Sequence, residues 1–275
     1  MKITLKKTAL FSFLFAGVLL TGCSKDDDSG DTNTLNFSAE NTARAAQADN
    51  IVEGTLNIME NGYVEVEEGR NSSVSFFPSC TVITIMPNGD GGTIILDFGD
   101  GCQLNNGATV AGIINLEYGP FENGSRTINY TFEDFTYNNH GVTGGGEIVR
   151  EISNQNGNPQ STVNESIIVS FDGTNITATR DGLRIAEWVE GVGSGTWMDN
   201  IYHITGNWST VFSNGFTRTG EVTETLVREL SCLYLVSGTL EIQQEGFTGA
   251  IDWGNGECDN LATLIVNGQE YPIIL

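Results

Sequence analysis

The sequence predicts an all-β protein, an antiparallel meander (curved sheet or sandwich) of about a dozen strands with one short helix near its start. Three observations carry this. Short β-branched and aromatic runs recur along the chain, and turn signals rich in Gly, Asn and Asp separate them. Gly accounts for 34 of the 275 residues and Pro for only 5. A hydrophobic content of 39% supports a core and excludes wholesale disorder.

Taken in order, residues 1–22 read as an export leader. Lys2, Lys6 and Lys7 precede an apolar run from Ala9 to Leu20 that is too short to cross a bilayer, which needs about 20 residues. The ending Leu20-Thr21-Gly22-Cys23 resembles the lipobox of bacterial lipoproteins. That resemblance implies a diacylglycerol on the Cys23 sulfur, cleavage before it and acylation of the new amine. Lys25, Asp26, Asp27 and Asp28 follow at once and resemble the export signal that sends Bacteroidetes lipoproteins to the outer leaflet of the outer membrane. Residues 23–38 are then a lipidated, acidic and turn-rich tether, and residues 39–275 a single β-rich domain. Ala45, Ala48, Ile51, Val52, Thr55, Ile58 and Met59 recur near helical spacing and predict a helix ending before Asn61-Gly62.

Beyond the helix the pattern is strand, turn, strand. Arg126 to Glu133 alternates, with Ile128, Tyr130 and Phe132 on one face and Thr127, Asn129 and Thr131 on the other. Ser166–Phe171 and Ile201–Trp208 are similarly β-branched and aromatic. Asn138-Asn139, Asp172-Gly173, Ser213-Asn214-Gly215, Glu245-Gly246 and Asn267-Gly268 mark turns. Val222, Leu226 and Leu230 fit helical spacing, but the Thr and Val content there favours an extended reading.

With Cys23 lipidated, four cysteines remain. Cys80 opens a strand-like run that turns at Pro87–Gly92, returns through Thr93–Phe98 and closes at Gly99-Asp-Gly-Cys102. The same order recurs from Cys232, through the Glu245-Gly246 turn and Asp252-Trp253, to Gly254-Asn-Gly-Glu-Cys258. A hairpin brings its far end back beside its start, so Cys80 pairs with Cys102 and Cys232 with Cys258. Each bridge closes a loop worth about 3 kcal/mol on the chain-entropy account. Asp90, Asp97, Asp100, Asp252, Asn255 and Asp259 raise the question of calcium. The EF-hand spacing is absent, and the residues read as turn formers, with no metal and no cofactor.

The segment from Cys80 to Leu275 resembles a family of Bacteroidetes, mainly flavobacterial, lipoproteins to which no activity is attached. The resemblance rests on Leu96-Asp-Phe-Gly-Asp-Gly-Cys102, Arg126-Thr-Ile-Asn-Tyr130, Glu187-Trp-Val-Glu-Gly191, Ile204-Thr-Gly-Asn-Trp208, Arg228-Glu-Leu-Ser-Cys232 and Asp252-Trp-Gly-Asn-Gly-Glu-Cys-Asp259. It implies a lipid-anchored exported protein.

Thirty-five acidic residues against 12 Lys and Arg give a formal charge of -23, which removal of the leader makes more negative. Such a chain repels phosphate backbones, so nucleic acid is not a partner. No Gly-rich loop followed by Lys is present for an NTPase. The two histidines, His140 in a turn and His203 on a strand, lack metal-ligand spacing, and Gly193-Ser194-Gly195 lacks the frame of a nucleophile elbow. The remaining constellation is aromatic and acidic: Trp188, Trp197, Tyr202 and Trp208 among Glu187, Glu190 and Asp199. Exposed indoles would stack on sugar faces, and paired carboxylates would hydrolyse a glycoside; the plainer reading is that the aromatics fill the core and the acids face water. Glu187 and Glu190 are an odd number of residues apart and fall on opposite faces of a regular strand. The expectation is therefore a non-catalytic surface lipoprotein, held to the outer membrane by lipid, that binds a glycan or protein. A glycan-active enzyme using the acids near Trp188 and Trp197 is the alternative.

Overall fold

A long helix, α1 (Ala39–Glu68), is followed by strands alone. The computed structural model describes residues 38–68 and 74–275. The leader, Cys23 and the acidic stretch from Lys25 to Asp28 lie outside the described residues. In chain order the strands are β1 (Val82–Asn88), β2 (Gly91–Asp97), β3 (Cys102–Gln103), β4 (Thr109–Tyr118), β5 (Ser125–Tyr137), β6 (His140–Glu151) and β7 (Gln160–Ser170). They continue as β8 (Thr177–Glu190), β9 (Ile201–Phe212), β10 (Thr217–Glu229), β11 (Ser237–Gln244), β12 (Phe247–Asn255), β13 (Leu261–Val266) and β14 (Gln269–Ile274). All 14 join one antiparallel sheet in which each strand follows its predecessor, save that β2 pairs directly with β4 and the two-residue β3 lies beside β4. The predicted meander is thus an open curved sheet, not a sandwich.

Alternation decides which face of each strand is buried. On β7, Ser161, Val163, Glu165, Ile167 and Val169 point inward while Asn164, Ser166 and Ser170 are exposed. On β5, Ile128 and Tyr130 are buried and Thr127, Asn129 and Thr131 exposed. The outward faces carry Thr, Asn and Glu rather than the apolar band of a lipid-facing barrel. Val222 and Leu226 lie within β10 and Leu230 just beyond it, so their helical spacing has no helical counterpart.

The helix departs from expectation. It spans 30 residues and runs straight through Asn61-Gly62. Ser38 caps its start, the hydroxyl accepting from the Asn41 N–H at 3.1 Å, while the Ser38 N–H donates to Glu245 at 2.8 Å. Every residue from Ile51 to Val64 is buried. The curved sheet wraps the helix, which meets Leu96 of β2, Leu116 of β4, Tyr137 of β5, Ser161 of β7, Arg184 of β8, Trp208 of β9 and Arg218 of β10. Gly62 is there for room: a Cβ at that position would lie 2.6 Å from the Leu96 side chain and 3.4 Å from that of Leu116. Gly54 plays the same part against the Tyr137 ring. Asn61 stays within the helix by donating to the Asn57 carbonyl at 2.7 Å. The Asn-Gly pair that reads as a stop is a place where the sheet presses close.

Both predicted hairpins form. β1 pairs β2 in unbroken register from Val82↔Asp97 to Asn88↔Gly91, and β11 pairs β12 around the Glu245-Gly246 turn. Disulfides Cys80–Cys102 and Cys232–Cys258 close them, each with Cα atoms 5.7 Å apart. The two copies share their turn bond: Asp97 accepts the Gly99 N–H at 2.8 Å and Asp252 the Gly254 N–H at 2.7 Å. One copy opens the sheet and the other lies near its end, with β13 and β14 beyond.

Candidate functional site

The largest concentration of ionisable groups is inside. Asp49, Glu53 and Glu60 face the sheet from the helix, and Arg150, Arg180, Arg184, Arg218 and Arg228 face the helix from β6, β8 and β10; all eight are buried. Arg184 grips Glu53 with two nitrogens, Nη2 at 2.6 Å and Nε at 2.9 Å, reaches Asn57 at 3.2 Å and pairs Glu60 at 3.4 Å. Arg180 donates to Glu165 at 2.6 Å, pairs Asp49 at 3.3 Å and lies over the Trp208 ring, 4.0 Å from its centroid. Asp49 also receives the Trp208 indole N–H at 3.0 Å and an ion pair from Arg218, which donates to the Ala45 carbonyl at 3.0 Å. Glu60 accepts from the Ser161 hydroxyl at 2.7 Å. Arg228 donates to the Leu233 carbonyl at 2.9 Å.

Burial and pairing pull these groups in opposite directions. Burial pushes the Glu53 carboxyl up, but Arg184, with Arg228 and Arg180 behind it, holds it below its ordinary value. For Glu165 burial outweighs Arg180, and the carboxyl is raised. Burial, aided by Glu60, lifts the Tyr63 hydroxyl far above the usual range, and burial carries Tyr137 to about 12. These acids are engaged by guanidinium groups. Their evident work is to fix the helix within the sheet. Sequence reasoning missed them, although a signal exists. On β8, Arg180 and Arg184 share the parity of Ala178, Ala186 and Trp188, the inward side.

The four aromatics singled out as a sugar platform are all buried: Trp188 at 1%, Trp197 at 9%, Tyr202 at 0% and Trp208 at 5% exposure. This corrects the platform reading, since inward-facing rings cannot stack on an external ligand. Trp188 stacks on Tyr202 with centroids 5.8 Å apart, Trp197 meets Phe76 edge-on at 5.3 Å, and Trp208 is spent on Asp49 and Arg180. The carboxylates also lie differently from expectation. β8 bulges between Trp188 and Glu190, so that Glu187 is opposite His203 and Glu190 opposite Ile201. Both glutamates therefore share the convex face, not opposite ones. Glu187 accepts from the Asn158 and Asn156 amides at 2.8 and 3.0 Å, which hold it below the ordinary carboxylate range. That shift suits an ionised anchor rather than a general acid. Asp199 accepts from the Ser194 hydroxyl at 2.9 Å.

His140 opens β6 just after the Asn138-Asn139 turn. Its Nδ1 accepts the Asp172 N–H at 3.1 Å, and its Nε2 is 3.1 Å from the Gln47 amide. His203 is exposed on β9. Asp259, raised with calcium in mind, accepts the Leu261 N–H at 2.9 Å. Among the described residues no group of three or more His, Cys, Asp or Glu converges as a metal site would.

Outside, sign and polarity are uneven. With five arginines buried, Arg44 and Arg126 are the remaining cations among the described arginines and lysines. A cleft of about 330 Å³ across β8–β11 is lined by Asp181, Asn207, Thr219, Glu221, Glu241 and Gln243, with Glu221 directly opposite Glu241. Four of the exposed apolar side chains, Phe121, Ile152, Val192 and Met198, lie on the loops leaving β4, β6 and β8. Those three loops lie at the same end of an antiparallel meander, the end where Glu67 of the helix meets Arg150. Ser38, where the helix begins, lies at the other end beside the β11–β12 turn. Arg126 covers the Phe121 ring at 3.6 Å. No protein-family model, curated protein or solved structure matches the chain.

Proposed function

We propose that the protein is an outer-membrane lipoprotein, anchored through Cys23 and facing the cell exterior, with a non-catalytic binding role. The observation that carries the anchor is the Leu20-Thr21-Gly22-Cys23 sequence after a short apolar run. Acyl chains at about 0.8 kcal/mol per buried CH₂ make such an anchor durable. The exposed loops bearing Phe121, Ile152, Val192 and Met198 support binding of a protein, because they are apolar surface at the end of the strands opposite the helix start. Burial of the tryptophans takes away the reason for preferring a glycan.

Metabolic labelling with an alkyne fatty acid tests the anchor. Label enters the wild-type chain and is lost on Cys23→Ala; label retained by the variant, or absent from both, rejects the lipoprotein reading. Protease shaving of intact cells tests display. Replacing Asp26, Asp27 and Asp28 with Ala strongly reduces release of the domain if the acidic cluster is the export signal, and leaves release unchanged if it is only a spacer.

A further inference from the structure

Among the described residues β1 and β14 are the outermost strands of the sheet, and they are not alike. β14 is blunted: Pro272 stands at its middle and Glu270 beside it. β1 carries no charge anywhere from Val82 to Asn88, and Pro87 falls only near its end. Its register with β2 is unbroken through all 7 residues, with no bulge to twist the edge away. Val82 (57%), Ile85 (47%) and Met86 (48%) are exposed. Val82 and Met86 lie opposite Asp97 and Thr93 on the convex side, and Ile85 lies opposite the inward Ile94, so both faces of the edge are apolar. The Cys80–Cys102 bridge pins the start of the strand.

We propose that β1 is the self-association edge of the protein: two copies join β1 to β1, antiparallel about a two-fold axis, and the sheet continues from one copy into the other. Charge bears on the occupant. The two strands nearest β1 carry single outward acids, Asp97 on β2 and Glu117 on β4, whereas the uncharged β1 lets two like-charged copies meet without opposing carboxylates. Geometry selects closure. Pairing β1 to itself is isologous and stops at two, while pairing β1 to β14 would propagate, and Pro272 stands against it. The edge is short, so the dimer dissociates on the order of micromolar concentrations.

The test is sedimentation of the disulfide-intact chain, freed of its leader and carrying Cys23→Ser, across micromolar concentrations, with hydrogen exchange read at each. A monomer–dimer equilibrium is expected, with amides from Thr81 to Asn88 gaining protection as the dimer forms. Ile85→Lys and Ile85→Glu each weaken the dimer at least about tenfold while the circular dichroism spectrum is unchanged. Ile274→Lys on β14, exposed at 71%, leaves it intact. A monomer at every concentration overturns the proposal. So does a dimer that survives both Ile85 variants or that Ile274→Lys dissolves. The outcome is independent of lipid labelling at Cys23.

Discussion

Asp49 holds side chains of three adjacent strands, Arg180 of β8, Trp208 of β9 and Arg218 of β10, from one turn of the helix. Removing its charge strands Arg218 in the core, since that guanidinium has Asp49 as its carboxylate partner among the described residues. Asp49→Asn is expected to cost about 3–5 kcal/mol, read by chemical denaturation, because an unpaired buried cation is left behind. Glu165 behaves differently. Its folded value is raised above the ordinary 4.5, so the folded chain holds that proton more tightly than the unfolded chain does. Stability therefore falls as pH rises from about 4.5 through the raised value, the reverse of the usual carboxylate. Glu165→Gln removes this slope, and the pH profiles of variant and wild type should diverge over that window. Parallel profiles would mean that Glu165 titrates normally. None of this is legible from composition: a -23 chain reads as acidic throughout, and only strand parity betrays the inward arginines.

At the scale of elements, the hairpins, the strand alternation and the disulfide pairs were legible because each is written locally. A turn signal, a period of two and a repeated Asp-aromatic-Gly all fall within a few residues. The length of the helix was not, because Gly62 answers to Leu96 and Leu116, distant in sequence. Gly62→Ala should gain up to about 1 kcal/mol of helix propensity and lose more to overpacking, about 1–3 kcal/mol. The cost should shrink in a Leu96→Ala background, as a double-mutant cycle would reveal. An equal cost in both backgrounds would mean that Gly62 is not a close-approach residue. The bulge of β8 was hidden for a similar reason: nothing in Glu187-Trp-Val-Glu190 announces which residue is extra, so the two glutamates were placed on opposite faces. The aromatics offered two readings, a core and a sugar platform, since an indole suits either; burial decides for the core, and of the four only Trp188 and Tyr202 stack on one another.

For the molecule as a whole, the helix and the sheet complete one another across long stretches of chain. Ser38 bonds Glu245 and Thr42 meets Gln244, more than two hundred residues away (207 and 202). A helix bearing buried Asp49, Glu53 and Glu60 has no apolar stripe strong enough to stand alone, and the sheet without it exposes five inward arginines. Unfolding should therefore be a single transition, with far-ultraviolet dichroism and tryptophan fluorescence coincident. Refolding should be slow, as expected for mostly non-local pairing. A helical signal that outlasts the fluorescence change would show that the helix is stable without its wrapping.

Folding this chain also concentrates its charge. Five arginines go inside together with the carboxylates of Asp49, Glu53, Glu60 and Glu165, so the interior is nearly neutral and the net negative charge is left on the surface of a compact particle. The folded protein thus carries that charge at a higher density than the extended polymer does. It should hold a denser cloud of counterions than the unfolded polymer and stand off from other anionic surfaces. Where two such particles touch, contact is least opposed where the surface bears no carboxylate, as along Val82–Asn88.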